Sequence, residues 1–138
     1  MSADFYISTE KSKMDVPLIH KYLSEESYWA KGRSEELVVK SMENALCFGV
    51  FAKDGEQIAF ARIVTDFVVF AWLMDVFVVE KHQGKGIGKM LLDYIFNYPE
   101  LQNVKGMGLR TNDAHSLYTT YGFESIPNPE TWMFKKKN

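Results

Sequence analysis

The chain has 138 residues, 46% apolar and 25% charged, the make-up of one soluble globular domain that buries roughly two-thirds of its unfolded surface. A formal charge of −2 supplies no broad cationic field for a polyanion, and Lys135–Lys137 reads as a solvated tail, so nucleic acid is not an expected partner. No stretch approaches the roughly 18 apolar residues of a membrane span, and "MSADFYISTEKSK" has no apolar leader core, so a cytoplasmic protein with no membrane partner is expected.

Phe5–Ser8 can form a first short strand. "VPLIHKYL", from Val16 to Leu23, has apolar residues at helical spacing, with Asp15 as N-cap and Pro17 in the first turn. "ESYWAKGR" reads as a loop or a broken helix end. Ser34 caps a second helix whose face is predicted to carry Leu37, Val38, Ser41, Met42 and Ala45. "LCFGVFAK" and "EQIAFARIVTD" are strand-like, and Asp54-Gly55 between them signals a hairpin. Residues 67–79, "FVVFAWLMDVFVV", are apolar almost throughout, as in a central strand covered on both faces and entered by a turn near Thr65–Asp66. A helix from Gly86 to Tyr98 follows and Pro99 closes it. "VKGMGLRT" reads as a glycine-interrupted strand, Ala114–Tyr121 as a short helix ended by Gly122, and "TWMFKK" as a last strand. The sum is a mixed α+β or α/β domain around a central sheet.

Cys47 stands alone, so no internal disulfide is available; flanked by Leu46 and Phe48 it reads as a core residue rather than a nucleophile. His20, His82 and His115 are scattered and lack metal-type spacing, so no zinc site is expected.

The chemistry concentrates at "VFVVEKHQGKGIGKMLLDYIF". Gly84, Gly86 and Gly88 free the backbone between a strand and a helix. The helix start offers unpartnered N–H groups and the positive end of its dipole, and Lys85 and Lys89 add full charges. The combination is a socket for a phosphate or pyrophosphate; the plainer reading is a tight strand-to-helix turn. The P-loop pattern fails because Gly84 and Gly88-Lys89 stand one residue too close and Met90 replaces the magnesium-binding hydroxyl. The dinucleotide pattern GxGxxG fails because its third glycine is misplaced.

"Gln83-Gly84-Lys85-Gly86-Ile87-Gly88" matches the Q/R-x-x-G-x-G/A signature of the GNAT superfamily of N-acetyltransferases, and the preceding "DVFVVEKH" resembles that superfamily's fourth strand. Downstream, residues 114–123, "AHSLYTTYGF", resemble its A-x-x-L-Y-x-x-x-G-F motif. The resemblance spans residues 45–137 and fits the N-terminal third only in outline. It implies a single α+β, sandwich-like domain with a mixed, mostly antiparallel sheet flanked by helices. Residues 1–45 would form an acceptor-side helical region and 46–137 the coenzyme-binding core. It also implies acetyl-CoA as co-substrate and direct transfer to an amine. Main-chain amides from Gln83 through Gly84, Lys85, Gly86, Ile87 and Gly88 to Lys89 would hold the pyrophosphate. The strand edge at Phe77, Val78 and Val79 would pair with the pantetheine arm, with an N–H near Val78 polarising the thioester carbonyl. Asn112 would contact the coenzyme, although it stands one residue nearer the alanine than the family's asparagine does. Dimers are frequent in the superfamily, so a homodimer is a further implication.

Amine acetylation needs a neutral nitrogen and a proton for the departing thiolate. By the resemblance Tyr118 occupies the general-acid position, and a phenol of pKa about 10 stays protonated at neutral pH; the alternative is a tyrosine packed in a short helix. Asp75, an acid in an apolar strand, would be costly to leave unpaired. Two readings stand: a proton acceptor or holder of a cationic acceptor, and an acid bonded to backbone or Arg62. Asp66 and Glu56 are weaker candidates for the base. Tyr28, Trp29 and Arg33 form an aromatic-plus-cation cluster in the acceptor region, suited either to binding an amine and a carboxylate or to packing. Trp132 and Met133 could line the same cavity. The expected function is acetyl-CoA-dependent N-acetylation of a small-molecule primary amine, without a metal. The alternatives are a protein or peptide N-acetyltransferase and a non-catalytic acyl-CoA sensor.

Overall fold

The computed structural model describes residues 4–137. Strand β1 (Phe5–Ser8) precedes helix α1 (Val16–Lys21), which continues into a π-helical turn at Tyr22–Glu26. Helix α2 (Glu35–Glu43) leads to strands β2 (Leu46–Ala52), β3 (Gln57–Thr65) and β4 (Phe70–Val78). Helix α3 (Ile87–Phe96), strand β5 (Gly106–Gly108) and helix α4 (His115–Thr119) follow. The helix starts are set locally. Asp15 accepts the Leu18 N–H at 3.1 Å and Ser34 accepts the Leu37 N–H at 3.2 Å, each satisfying an amide the helix leaves free.

The five strands lie in the order β1-β2-β3-β4-β5. The first three pairings are antiparallel and β4–β5 is parallel, giving the mixed, mostly antiparallel sheet expected. Helix α3 covers one face through Ile87, Leu91, Leu92 and Ile95, which pack on Phe48, Ile58, Ala61, Ile63 and Leu73. On the other face α1, its π-turn and α2 bury Ile19, Leu23, Val38 and Met42 against Cys47, Phe51, Phe60 and Phe77.

Between these layers β4 carries one extra residue: Arg62 pairs with Met74, yet Phe60 pairs with Phe77. The bulge centres on Asp75, at φ +55°, and it reverses which side chains face which layer. Ala71 and Leu73 lie in the α3 layer; Phe77 lies in the α1–α2 layer.

Several boundaries differ from the sequence expectation. Residues 67–69 are a turn and not strand: the Asp66 carboxylate accepts the amides of Val68, Val69 and Phe70, and Phe67 takes φ +64°. Strand β4 is also less completely covered on both faces than expected, since its buried residues alternate with half-buried ones. Leu37 is 55% exposed and leaves the buried face of α2 to Val38 and Met42. Helix α3 stops at Phe96 and β5 keeps three residues. The segment 132–137 is not a strand. So short a β5 gives it little ladder to join, and Met133 and Phe134 are 95% and 82% exposed.

Candidate functional site

The loop before α3 is open because its main chain is bent and its helix start is uncapped. Gly84 and Gly86 sit at φ +79° and +80°, a region costly for any residue with a Cβ. A Cβ at either would meet nothing within 4 Å, so backbone conformation rather than space selects glycine. Gly86 is the N-cap and offers no side-chain acceptor, and the first turn has no acid. The leading amides of a ten-residue helix are left for an outside anion. Lys85, with Gly86, Ile87 and Met90, borders a cavity of about 260 Å³ against Asp4 and Phe5. Lys89 is exposed and pairs with Asp93 at 3.2 Å.

Next to this loop the sheet opens. The β4–β5 pairing runs only from Phe70↔Gly106 to Trp72↔Gly108, so beyond Trp72 the β5 side of β4 has no ladder partner among the described residues. The Val79 N–H donates to Ile58 O at 2.9 Å, and Phe77 pairs with Phe60. Alternation along the ladder then turns the amides of Val76 and Val78 away from β3, into the gap. Of the three residues expected at this edge only Val78 faces outward; Val76 is the neighbour that residue pattern alone did not single out. Gln83 folds back, its Nε2 donating to Val78 O at 2.9 Å.

The mouth of the gap is built around Asp75, which is 5% exposed. Its Oδ2 accepts Arg62 Nε at 2.6 Å and Arg33 Nη1 at 2.8 Å, while Oδ1 accepts Trp29 Nε1 at 2.9 Å. Burial alone would raise its pKa, but the Arg62 and Arg33 guanidiniums outweigh that and hold it below the usual carboxylate value. The 27–33 segment is fixed by local bonds: Ser27 Oγ donates to Leu23 O at 2.7 Å and accepts Ala30 N–H at 3.1 Å. Tyr22 stacks on Phe77 with centroids 4.1 Å apart. Tyr28 meets Trp29 edge-on, and its hydroxyl accepts the Asn112 N–H at 3.0 Å, tying this loop to the approach of α4.

Tyr118, 8% exposed, packs in the α3 layer with its ring edge-on to Phe123. Burial, with smaller contributions from Tyr28 and Asp113, pushes its phenol above the ordinary 10. Tyr121, three residues on, is engaged elsewhere: its hydroxyl donates to Asp93 Oδ1 at 2.7 Å. Thr111 Oγ1 accepts the Ala114 N–H at 3.1 Å and steadies the turn into α4.

Tyr28, Trp29, Arg33, Asp75 and Asn112 thus form one cluster, which the hydrogen bond at Asn112 ties to the approach of α4, the helix that carries Tyr118. Asp66 caps its own turn and Glu56 pairs with Lys81 at 3.1 Å, so neither joins it. Trp132 lies 6.5 Å from Phe70, at the far end of β4, and Met133 is exposed. Arg62 belongs to the cluster as the buried partner of Asp75. Among the described residues no group of three or more His, Cys, Asp or Glu could hold a metal, and no helix is long and apolar enough to cross a membrane. The uncapped amides, the open strand edge beside them and the space around Gly84 and Gly86, where an added Cβ would meet no described atom within 4 Å, fit a diphosphate joined to an extended amide chain, the chemistry of coenzyme A.

Residues 44–125 match the family model described as an acetyltransferase (GNAT) domain. A protein of Xanthomonas campestris pv. campestris assigned as an acetyltransferase of the GNAT family has a crystal structure 41% identical to this chain. It superposes with a TM-score of 0.93 over 96% of this chain and 93% of its own. A Gibberella zeae protein, FG08082, assigned as an acetyltransferase, is 27% identical over 88% of this chain and 80% of its own length. The ribosomal-protein-S18-alanine N-acetyltransferase of Escherichia coli, 22% identical, has a TM-score of 0.71 over 89% of this chain and 79% of its own and shares the fold. The sheet, the glycine loop and the matched domain agree: this chain belongs to the GNAT family of acetyltransferases.

Proposed function

We propose that this acetyltransferase moves the acetyl group of acetyl-CoA to the primary amine of a small-molecule acceptor. The observation that carries the reading is the open β4 edge, flanked by the uncapped α3 N-terminus on one side and the Tyr28–Trp29–Arg33 loop on the other. In this reading residues 46–137 hold the coenzyme and residues 1–45 shape the acceptor side.

When bound, acetyl-CoA supplies an activated thioester. The amides from Gly84 to Lys89 hold its diphosphate, with Lys85 and Lys89 adding charge and no metal required; the Gln83 N–H, expected to join them, is taken by Glu80 O at 3.1 Å. Val76 and Val78 offer main-chain groups to the pantetheine arm. The Val78 N–H donates to the carbonyl oxygen as that oxygen gains charge, a contribution of a few kcal/mol, about 3, in sites of this kind. The acceptor nitrogen bonds to the carbonyl carbon, the carbon–sulfur bond breaks, and the nitrogen's proton leaves to water. Tyr118, kept protonated by burial, gives its proton to the departing sulfur and regains one from solvent.

Of the two readings open for Asp75, the geometry favours the second, an acid bonded to Arg62, over a proton acceptor or a holder of the cationic acceptor. Both oxygens are engaged and its pKa is depressed, so it positions Trp29 and Arg33 while water serves as base. Asn112 contributes its main chain, which anchors Tyr28 to the approach of α4.

Calorimetric titration with CoA, then release of free thiol from acetyl-CoA across a panel of amines, tests the assignment. Micromolar CoA binding with turnover of at least one amine is expected. Binding without turnover on any amine or peptide would make the chain a sensor; absence of binding would overturn both.

A further inference from the structure

We infer that the acceptor carries a carboxylate as well as its amine, and that Arg33 receives it. The inference rests on the acetyl-transfer reading and narrows it to amino-acid-like acceptors. Two guanidiniums, Arg62 and Arg33, share the single carboxylate of Asp75, and both bind the same oxygen. One positive charge is left uncompensated. Arg62, whose side chain is 7% exposed, is spent on Asp75; Arg33, at 21%, stands at the cluster's solvent side. A guanidinium has five N–H donors in a planar fork, and among the described residues Arg33 uses Nη1 alone, on Asp75. Its remaining donors suit the two oxygens of a carboxylate.

The surroundings favour the same occupant. Arg33 has no acidic partner other than Asp75 among the described ion pairs. Asp75 holds both Arg33 and Trp29, so the fork is held in place before any ligand arrives. Trp29 and Tyr28 are 40% and 48% exposed, an aromatic wall beside the fork on which an ammonium or alkyl stem can rest. Tyr28, bonded to the Asn112 N–H, ties this wall to the approach of α4. A bifunctional acceptor would thus reach from the guanidinium towards the gap in β4.

The test uses matched pairs differing only in the anion: phenylalanine and phenylalaninamide, β-alanine and β-alaninamide, 4-aminobutyrate and its amide, with phosphoethanolamine alongside. Initial rates with acetyl-CoA and fluorescence titrations in the presence of CoA, compared with Trp29→Phe to isolate the Trp29 signal, are recorded for each. The carboxylate member of at least one pair is expected to lead its amide by roughly 10-fold in kcat/KM or Kd. Arg33→Gln should erase the preference. Arg33→Lys, which keeps the charge and a bond to Asp75 but not the fork, should retain part of it, with CoA affinity unchanged in both variants. Amides used as well as carboxylates, a preference surviving Arg33→Gln, a lead for phosphoethanolamine, or no response from any probe while CoA binds would each overturn this inference alone. Failure of the wild-type protein to bind CoA would remove the acetyl-transfer reading and this inference with it.

Discussion

Arg62 Nε lies 2.6 Å from Asp75 Oδ2, a buried ion pair formed by residues 13 apart across the β3–β4 ladder at the point where β4 carries its extra residue. Removing the acid leaves Arg62 buried with no anion. Asp75→Asn is expected to cost about 3–5 kcal/mol of stability by urea denaturation, with loss of acceptor saturation in the folded fraction. The sign with pH follows from the depressed pKa. The pair's contribution is present above the unfolded aspartate value and lost as pH falls through the lower folded value, so wild type should weaken towards acid more steeply than the variant. A stability equal to wild type would refute the pair's role.

Tyr118→Phe should lower kcat by about 10²-fold or more while leaving the Kd for CoA within error. The acid is active when protonated, and burial raises its pKa, so its share of the rate should be lost at a higher pH than an ordinary phenol would allow. Tyr121→Phe is the control: it removes a partly buried bond to Asp93 on α3, and kcat should stand. Equal rates for Tyr118→Phe and wild type would end the acid assignment.

Gly86→Ala forces a Cβ into φ +80° without any clash to relieve. We expect a stability loss of about 1–2 kcal/mol and weaker CoA binding by calorimetry, because the amides of α3 must reorient. Unchanged CoA affinity in the folded variant would separate the loop from the diphosphate.

Ser34→Ala removes the acceptor that satisfies the Leu37 amide at the start of α2. A loss of about 1 kcal/mol, read as a drop of a few degrees in Tm, is expected.

What the sequence disclosed was mainly local. Asp15, Ser34 and the Asp54-Gly55 hairpin act within a few residues of themselves, and each does so in the structure; Gly55 takes φ +94° and the Ala52 amide closes on Glu56 O. The glycine loop is legible for the same reason. The Asp66 turn was also local, yet hidden by the apolar run that follows it, where three amides bound to one carboxylate override strand propensity. The partners of Asp75 were out of reach, since Arg33 and Trp29 lie 42 and 46 residues away and meet it only once α1 and its π-turn have packed on the sheet. Which amides face the gap depends on ladder parity, and the bulge at Asp75 sets that parity from across the sheet. Residues 132–137 show the converse, with β-type composition but no neighbouring edge to use it.

The sequence has one cysteine, and Cys47 is wholly buried at the start of β2, its thiol directed at the carbonyls of Met42 and Ala45 and pushed up to about 11 by burial. At neutral pH the folded enzyme should therefore be silent towards disulfide reagents. Colour developed in a coupled assay then reports coenzyme released by turnover, and a slow rise to one equivalent per chain without acetyl-CoA reports unfolding.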